Sequence, residues 1–307
     1  MPNHQILAHV LLTAASLTAA GLMLHGAPAR AAGTISSCGT TQNVTPATWA
    51  AEAKVTGCKI LVMSAGDYSS LIISGHSGGV LTLQCASAGS CRFRPNGRIT
   101  GVDGVIIDGI QVTGGNNGLY IRGRNVLIQN STFIEQTSGG VTAIPGTQSD
   151  NIQIHNNEFR NAKRGCDYRN PSQCSGYLSD GSPVAEMDYG IRVHDTNYVE
   201  IKGNRFGTMF NHAISIKYAV VSSLIEGNTF TGCGRVCIDF GQESPASTEG
   251  TITGNTFGPE RTSGVTVRYM RRSVITGNTF AKSRGTAIRV VSVPLSRVII
   301  QSPNTIY

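Results

Sequence analysis

Two short stretches of the sequence carry residue types from which acid–base chemistry on an anion could be built. In each, isoleucine or valine alternates with polar residues, which are Arg192 and His194 in the first stretch and Ser215 and Lys217 in the second. This period of two predicts β-strands with one buried face. If the strands stack, the four polar side chains point outward from one patch. There the two cations could bind an anion, and the histidine, which we expect to titrate near neutrality, could take up a proton.

An internal repeat indicates the elements that must position this patch. Its phenylalanines lie 26, 47, 24, 27 and 23 residues apart, at Phe133, Phe159, Phe206, Phe230, Phe257 and Phe280. Alternating strands follow eight residues after most of them, at Val141, Ile214, Ile238, Val265 and Ile288. Self-similarity at this period predicts a solenoid. Because the units have Asn and Gly corners and no helical period, we predict an all-β solenoid.

Each repeat also contains an asparagine just before its phenylalanine. In the first two repeats the unit reads Ile-x-Asn-x-x-Phe, with Asn130 and Asn156 at the third position. We expect these asparagines to be structural, bonding backbone groups at a corner, while inward Phe and Ile form apolar ladders. The 47-residue interval is interpreted as one coil with a polar insertion at about 162–188. Because it directly precedes Tyr189, we predict that it forms the wall of a groove, although a tolerated surface loop is the alternative.

Residues 1–31 are predicted to be a secretory signal peptide. A mostly apolar run over residues 6–24 leads to the small-x-small site Ala29-Arg30-Ala31, after which we expect cleavage. A membrane anchor is the alternative, but the run contains a histidine and several Thr and Ser. No later stretch is long and apolar enough to span a bilayer. We therefore predict a secreted or periplasmic protein whose mature chain has no membrane span.

The remaining chain is divided into an amino-terminal region at 32–100 and the parallel coils at 101–307. The first region is predicted to hold a short cap helix at 45–54, with Thr45 as the N-cap and Pro46 in the first turn. Strands are predicted to follow at residues 59–63, 70–74 and 80–83, with residues 66–68 as a turn.

The chain contains eight cysteines, and an even number in an exported protein favours disulfides over metal ligands. Eight cysteines permit 105 connectivities, so pairing by proximity is a hypothesis. The last couple, four residues apart, could instead be half of a metal site, but no matching His or Cys pair accompanies it. The hypothesis pairs Cys38 with Cys58, Cys85 with Cys91, Cys166 with Cys174, and Cys233 with Cys237.

Stacking the repeats gives two outward columns on one sheet. The first contains Tyr120, Thr142, Arg192, Ser215, Asp239, Thr266 and Arg289. The second, two residues further on, contains Arg122, Ile144, His194, Lys217, Gly241, Arg268 and Val291. Like charges at strand spacing repel, so Arg192 and Lys217 require a nearby anion or carboxylate, which Asp195, Asp239 and Glu243 could supply. The alternative is an ordinary solvated sheet face with incidental charges.

The repeat and the region 46–74 resemble the single-stranded right-handed parallel β-helix of pectate-lyase-like and NosD-like exported proteins, with a short amino-terminal helical cap. The resemblance covers nearly all of the chain after the signal. It implies coils about 4.8 Å apart, so that residues one coil apart become neighbours. The net charge of +7 suits an anionic partner such as an acidic polysaccharide, nucleic acid or a lipid surface, and charge alone does not choose among them. With the resemblance, we expect an anionic polysaccharide and no nucleic acid.

A local motif is similar to that of the alginate (mannuronan) C5-epimerases. It is carried by Tyr189-Gly190-x-x-x-His194-Asp195 and by Asn211-His212-x-Ile214-x-x-Lys217. Where that family has Asp and Pro, this chain has Arg192 and Val193. The resemblance implies that His194 and Tyr189 remove and return a C5 proton.

The residues themselves suit proton abstraction next to a uronate carboxylate. Arg192 and Lys217 could neutralise the carboxylate, and His194 could act as the base while Tyr189 handles the second proton. Lys217 could itself be the base if Arg192 lowered its pKa. Loss of a C4 leaving group would make the protein a polysaccharide lyase, and return of the proton would make it an epimerase. Further candidates for substrate binding are Tyr120, Arg122, Asp239, Arg268, Tyr218 and His212.

Two other function classes stay open from the sequence. One is a glycoside hydrolase of polygalacturonase type, with Asp239 and either Asp195 or Glu243 as paired carboxylates. The other is a non-catalytic glycan-binding β-helix. Calcium is a possible cofactor, with Asp195, Asp239 and Glu243 as oxygen donors. The last coil, which ends at Tyr307 without an evident cap, predicts association through its open edge.

Overall fold

The computed structural model describes residues 33–143, 150–160, 188–209, 211–218, 220–241, 249–258, 263–269, 272–281, 286–292 and 297–307. These residues form a right-handed parallel β-solenoid of about 8 turns with almost no helix. The all-β class and the parallel β-helix are therefore confirmed. The predicted signal peptide at 1–31, Cys166, Cys174 and Glu243 lie outside the described residues, as does nearly all of the insertion at 162–188.

Each complete coil contributes one strand to each of three parallel sheets. The first sheet contains β1 (Thr40–Val44), β2 (Lys59–Met63), β5 (Leu81–Cys85), β7 (Gly97–Asp108), β9 (Asn117–Gln129), β12 (Asp150–His155), β15 (Tyr198–Lys202), β18 (Ser222–Glu226), β21 (Glu249–Thr253), β24 (Arg272–Thr276) and β27 (Val298–Gln301). The second contains β4 (Ile72–Ser74), β11 (Gly139–Ala143), β14 (Tyr189–His194), β17 (His212–Lys217), β20 (Val236–Phe240), β23 (Ser263–Arg268) and β26 (Thr286–Val291). The third contains β3 (Gly66–Tyr68), β6 (Cys91–Phe93), β8 (Ile110–Thr113), β10 (Thr132–Ile134), β13 (Glu158–Arg160), β16 (Arg205–Met209), β19 (Thr229–Cys233), β22 (Thr256–Phe257), β25 (Thr279–Phe280) and β28 (Thr305–Ile306). The long strands β7 and β9 run through both the first and the second sheet.

The amino-terminal helix exists but is shorter than predicted. It spans Trp49–Glu52 as α1, and Thr48 rather than Thr45 is its N-cap. The backbone N–H groups of Thr48 and Trp49 both donate to the Thr45 carbonyl at 3.1 Å, so Thr45 begins a turn that precedes the helix. Trp49 is buried with its ring edge against Phe93, at 5.4 Å between centroids. The helix is therefore fixed by one large apolar side chain.

The predicted turn at 66–68 is a strand. These residues form β3 and pair in parallel with β6, where Tyr68 lies beside Phe93. The two rings stack at 4.8 Å between centroids, and both are buried. Tyr68 thus belongs to the core of the first coils, which outweighs the turn tendency of Gly66 and Asp67. The following strand, β4, begins at Ile72 rather than at Ser70.

A stack of phenylalanine rings forms the core beneath the third sheet. Neighbouring rings are nearly parallel, with centroids 4.6 to 5.1 Å apart. This spacing matches the separation of about 4.8 Å between strands, so each coil contributes one ring to a continuous stack of nearly parallel rings. The stack consists of Phe133, Phe159, Phe206, Phe230, Phe257 and Phe280.

An asparagine ladder turns the chain between the first and third sheets, as predicted, but its register differs by one residue in the first two repeats. Asn130 and Asn156 have φ values of 52° and 54°, the left-handed conformation that glycine supplies in the four later coils. The ladder position is the next residue, two before each phenylalanine. Its buried members are Ser131, Asn157, Asn204, Asn228, Asn255 and Asn278.

Each ladder asparagine connects its own coil to the coils on both sides. The Asn228 side-chain oxygen accepts from the backbone N–H of Asn204 at 2.9 Å. Its amide nitrogen donates to the carbonyl of Ile201 at 2.9 Å. Its own backbone N–H donates to the side-chain oxygen of Asn255 at 2.9 Å. The ladder therefore satisfies buried backbone groups that bend away from the sheets.

Three of the four proposed disulfides are confirmed in the described residues, between Cys38 and Cys58, between Cys85 and Cys91, and between Cys233 and Cys237. The pairing of Cys166 with Cys174 stays a prediction. Within the described residues, no helix is long and apolar enough to cross a membrane.

The ladder yields a prediction about stability. We expect Asn228→Ala to lower the free energy of unfolding by about 2–5 kcal/mol, because it leaves a buried N–H and buried carbonyls without partners. The matched control is Thr229→Ala at the adjacent exposed position, where a change within about 0.5 kcal/mol is expected. Urea unfolding followed by circular dichroism measures both. Equal midpoints for the two variants would contradict the role of the ladder.

Candidate functional site

The register of the second sheet confirms the stacking predicted for the first outward column. Strand by strand, each member pairs with the next, in the order Tyr120, Thr142, Arg192, Ser215, Asp239, Thr266 and Arg289. In the second column, His194 pairs with Lys217 and Arg268 pairs with Val291. The predicted juxtaposition of Arg192, His194, Ser215 and Lys217 on adjacent strands β14 and β17 is therefore present.

The centre of these columns is buried, although the sequence pattern predicts side chains that point outward from the sheet. Ser215 is 0% exposed, and His194 and Asp239 are each 3% exposed. Arg192 and Lys217 are half-buried, so that only the outer parts of the site reach solvent. Charges in such a place must be balanced locally, because burial penalises an isolated ion strongly.

Asp239 supplies that balance across three coils. Its Oδ2 lies 3.5 Å from the Lys217 ammonium and 3.8 Å from Nε2 of His212. Its Oδ1 lies 3.2 Å from Nε of Arg268 without an aligned hydrogen bond, so this contact is electrostatic. The carboxylate that offsets the repulsion between stacked cations is thus Asp239, with the cation Lys217 on one neighbouring strand and the cation Arg268 on the other.

His194 is held by the arginine two residues before it. Nε of Arg192 donates to Nε2 of His194 at 3.1 Å, which leaves the ring proton on Nδ1. The edge of the Tyr218 ring contacts the imidazole, with centroids 4.8 Å apart. Burial first, and then the charges of Arg192 and Lys217, lower the pKa of His194 to about 4. The expectation that it titrates near neutrality is therefore wrong, because sequence alone did not reveal the burial.

Tyr189 and His212 form a second pair beside this one. Their rings stack at 5.6 Å between centroids, and the Arg192 guanidinium lies 5.3 Å from the centre of the Tyr189 ring. Nδ1 of His212 lies 3.3 Å from the Val236 carbonyl, and burial lowers the pKa of His212 to about 4. Burial also raises the pKa of Tyr189, as does the negative charge of Asp188. Tyr189 therefore keeps its proton at neutral pH.

Asp188 is a residue of this site that the sequence analysis missed. Burial raises the pKa of its carboxyl, and a hydrogen bond with Asn211 together with the charges of Arg192, Arg235 and Lys217 opposes the rise. Its backbone carbonyl also accepts from the N–H of His212 at 3.1 Å. Its position directly before Tyr189 could have indicated that Asp188 belongs to the site. The sequence analysis instead included Asp188 as the last residue of the insertion.

The remaining candidates are distributed around this centre. Tyr120 and Arg122 lie on the same sheet two coils before Arg192, about 10 Å away at the usual strand spacing. Asp195 follows β14 with a φ of 45°. The roles of all these residues in binding or catalysis remain predictions.

The sequence matches the family described as periplasmic copper-binding protein (NosD), over residues 55–261 and again over 174–293. The chain belongs to the NosD family. The periplasmic description of the family and the disulfides agree with a location outside the cytoplasm. No curated protein matches the chain significantly.

Solved structures with the same fold include two polysaccharide lyases. Pectate lyase Pel9A has a TM-score of 0.57 and 14% sequence identity, over 86% of this chain and 80% of the lyase. A variant of the family 6 alginate lyase AlyGC has a TM-score of 0.57 and 17% identity, over 88% of this chain. The matched region is only 40% of the length of AlyGC. At these identities the likeness establishes the fold.

The described residues do not fit the copper site that the family description implies. Copper favours clusters of imidazole and sulfur ligands. No group of three or more His, Cys, Asp or Glu side chains that could hold a metal occurs in the described part of the chain. The six described cysteines are disulfide-bonded, and His194 and His212 face the cations Arg192 and Lys217. Asp239 is likewise surrounded by basic nitrogens, which does not favour it as a calcium ligand.

The charge balance at Asp239 yields a prediction about stability. We expect Asp239→Asn to lower the free energy of unfolding by about 3–5 kcal/mol, because Lys217 and Arg268 lose the carboxylate between them. The control is Asp67→Asn, which breaks an exposed ion pair with Arg92 and should change stability little. Urea unfolding of both variants measures the difference. A wild-type midpoint for Asp239→Asn would contradict the balancing role.

The low histidine pKa values yield a prediction about pH. Between the unfolded value of 6.5 and the folded value of about 4, the unfolded chain binds more protons, so the stability from His194 and His212 is lost as pH falls through this window. We expect His194→Gln to make the loss of stability between pH 6.5 and 4 shallower. Urea midpoints at intervals of pH measure it. Parallel curves for wild type and variant would show that His194 does not contribute.

Proposed function

We propose that this protein acts on an acidic, uronate-containing polysaccharide by abstracting the C5 proton, as a polysaccharide lyase or a C5-epimerase. The observation that carries the proposal is that two cations, Arg192 and Lys217, lie on the adjacent strands β14 and β17 with a neutral histidine and a protonated tyrosine. Arg268, two strands beyond β17, is joined to Lys217 through Asp239. The names of the structurally similar lyases, which refer to pectate and alginate, agree with this substrate class.

The charges of the site suit a carboxylate ligand. Arg192 and Lys217 are half-buried and reach solvent, and Lys217 shares the carboxylate of Asp239 with Arg268. A uronate carboxylate bound there would meet cations in surroundings of reduced dielectric, where their attraction is stronger than in water. Neutralising that carboxylate makes the adjacent C5–H more acidic, because the carbanion is stabilised as an enolate.

The proton steps follow from the protonation states. His194 is neutral at pH 7, so Nε2 can accept the C5 proton while the C–H electron pair moves into the carboxylate to form the enolate. In a lyase, the C4–O bond then breaks as the C4=C5 double bond forms, and the Tyr189 hydroxyl protonates the leaving oxygen. In an epimerase, Tyr189 instead returns a proton to the opposite face of C5. In both cases solvent restores the starting protonation of His194 and Tyr189.

We assign the other candidates to charge balance and positioning, which their contacts support. The pairing of Lys217 with Asp239 favours a role as a cation over the alternative role as the base. Both oxygens of Asp239 face basic nitrogens, an arrangement that favours charge balancing over the paired-carboxylate chemistry of a hydrolase. We assign Tyr218, which contacts His194, and Arg268 to the walls of the binding site. Tyr120 and Arg122 are assigned to binding of sugars further along the chain.

A substrate screen tests this function. The mature protein, with and without EDTA, is incubated with alginate, pectate, hyaluronan and bacterial acidic exopolysaccharides. Absorbance near 235 nm detects unsaturated products of a lyase, and NMR detects a changed C5 configuration. Either signal on a uronate polymer is the expected result. Reducing ends without absorbance would indicate hydrolysis, and binding without any product would indicate a glycan-binding module, so both outcomes contradict the proposal.

A variant pair tests the catalytic assignment. We expect His194→Gln to lower kcat by about 10²- to 10⁴-fold, because it removes the general base. The matched control is His155→Gln, which alters a histidine on the first sheet that contacts Glu200 and should leave kcat unchanged. Initial rates on the active polymer measure both variants. Equal activity of the two variants would exclude His194 as the base.

A further inference from the structure

The atom that must accept the proton is already engaged in the free protein. Nε2 of His194 accepts a hydrogen bond from Nε of Arg192 at 3.1 Å, and the ring is 3% exposed. A histidine nitrogen whose lone pair holds a guanidinium N–H cannot take a proton from carbon at the same time. The base and the cation that binds the carboxylate are thus joined to each other before substrate arrives.

We propose that the substrate carboxylate activates the base by drawing the Arg192 guanidinium away from Nε2 of His194. This inference rests on the proposed function and adds a specificity rule to it. Only a sugar with a free carboxylate releases the base, so a neutral or methyl-esterified sugar that binds in the same place leaves His194 blocked. Arg192 is then a specificity-determining residue as well as a binding residue.

The placement of Arg192 permits this movement. Its side chain is half-buried, and its guanidinium lies over the ring of Tyr189, beside the outer part of the site. Within the described residues, Arg192 has no ion pair with a carboxylate, whereas Lys217 and Arg268 are both paired with Asp239. A guanidinium bonds a carboxylate through two parallel hydrogen bonds, which are stronger than a single bond to a neutral imidazole.

The charges around His194, like the hydrogen bond from Arg192, oppose protonation of the ring in the free protein. The charges that lower the pKa of His194 are those of Arg192 and Lys217, and the phenol of Tyr218 packs against its ring. Both cations disfavour the imidazolium. A bound carboxylate offsets them, so the proton affinity of His194 rises at the moment when Nε2 is freed. A base with a pKa near 4 thereby becomes stronger only in the complex.

The test measures histidine pKa values by NMR in the whole mature protein, with His155 on the first sheet as the internal reference. A saturating uronate trimer should raise the pKa of His194 by at least about one unit, because the bound carboxylate removes the effect of a full neighbouring charge. The fully methyl-esterified trimer should leave it unchanged. His155 should not respond to either trimer.

Two variants separate the hydrogen bond from the charge. Arg192→Gln should raise the pKa of His194 in the free protein and weaken its response to the uronate trimer. Arg192→Lys keeps the charge but not the guanidinium contact, and should give an intermediate value. An unchanged His155 titration and an unchanged melting temperature show that the variants are folded.

The outcomes distinguish this inference from the proposed function. The inference is overturned if the pKa of His194 is the same in Arg192→Gln as in the wild type, or if a bound uronate trimer leaves that pKa unchanged. Either result overturns it even if the polymer is degraded. A shift by the uronate trimer without turnover of any polymer supports the inference and overturns the proposed reaction. Failure of both trimers to bind overturns both.

Discussion

The fixed register between successive coils is the constraint on which every other feature of this molecule depends. Parallel hydrogen bonding sets the spacing, and the asparagine ladder holds each corner at the same height by bonding the coils before and after it. The phenylalanine stack fills the interior at the same interval. As a result, side chains 20 or more residues apart in sequence lie about 4.8 Å apart in space, in columns that run along the solenoid.

The candidate site forms where these columns bring charged side chains from successive coils together. Arg192 and Lys217 lie on adjacent strands, and His194 lies between them on a sheet face that is mostly buried. Two features of the site reduce the electrostatic cost of burying these charges. Asp239 balances Lys217 and Arg268, while His194 stays neutral and accepts a hydrogen bond from Arg192. The ion pairs of Asp239 and the hydrogen bond between Arg192 and His194 stabilise the buried charges. The same contacts limit which of these groups can bind a ligand.

Much of this arrangement could be predicted from the sequence because the repeat interval carries the register. The spacing from Phe206 to Phe230 is enough to place Ser215 beside Asp239, and the pairing agrees. Local ambiguities produced the errors. Asn156 and Asn157 are adjacent, and only the fold tells which one takes the left-handed conformation and which one bonds the neighbouring coil.

Properties set by distant neighbours could not be predicted in this way. The burial of His194, and hence its low pKa, depends on groups that no local pattern reveals. Asp188 was overlooked because its partners include Arg235, which is remote in sequence. The helix α1 covers only Trp49–Glu52, although the alanine-rich sequence would allow more helix, and the packing of Trp49 against Phe93 is a tertiary contact that the local pattern does not reveal.

The central claim is that the second sheet binds a uronate carboxylate through Arg192 and so frees the base. The most direct measurement is a crystal structure of the protein with a uronate trimer. The account predicts a carboxylate within about 2.7–3.2 Å of the Arg192 guanidinium and a broken contact between Nε of Arg192 and Nε2 of His194. A trimer bound to another sheet, or a carboxylate directed away from Arg192, would contradict it.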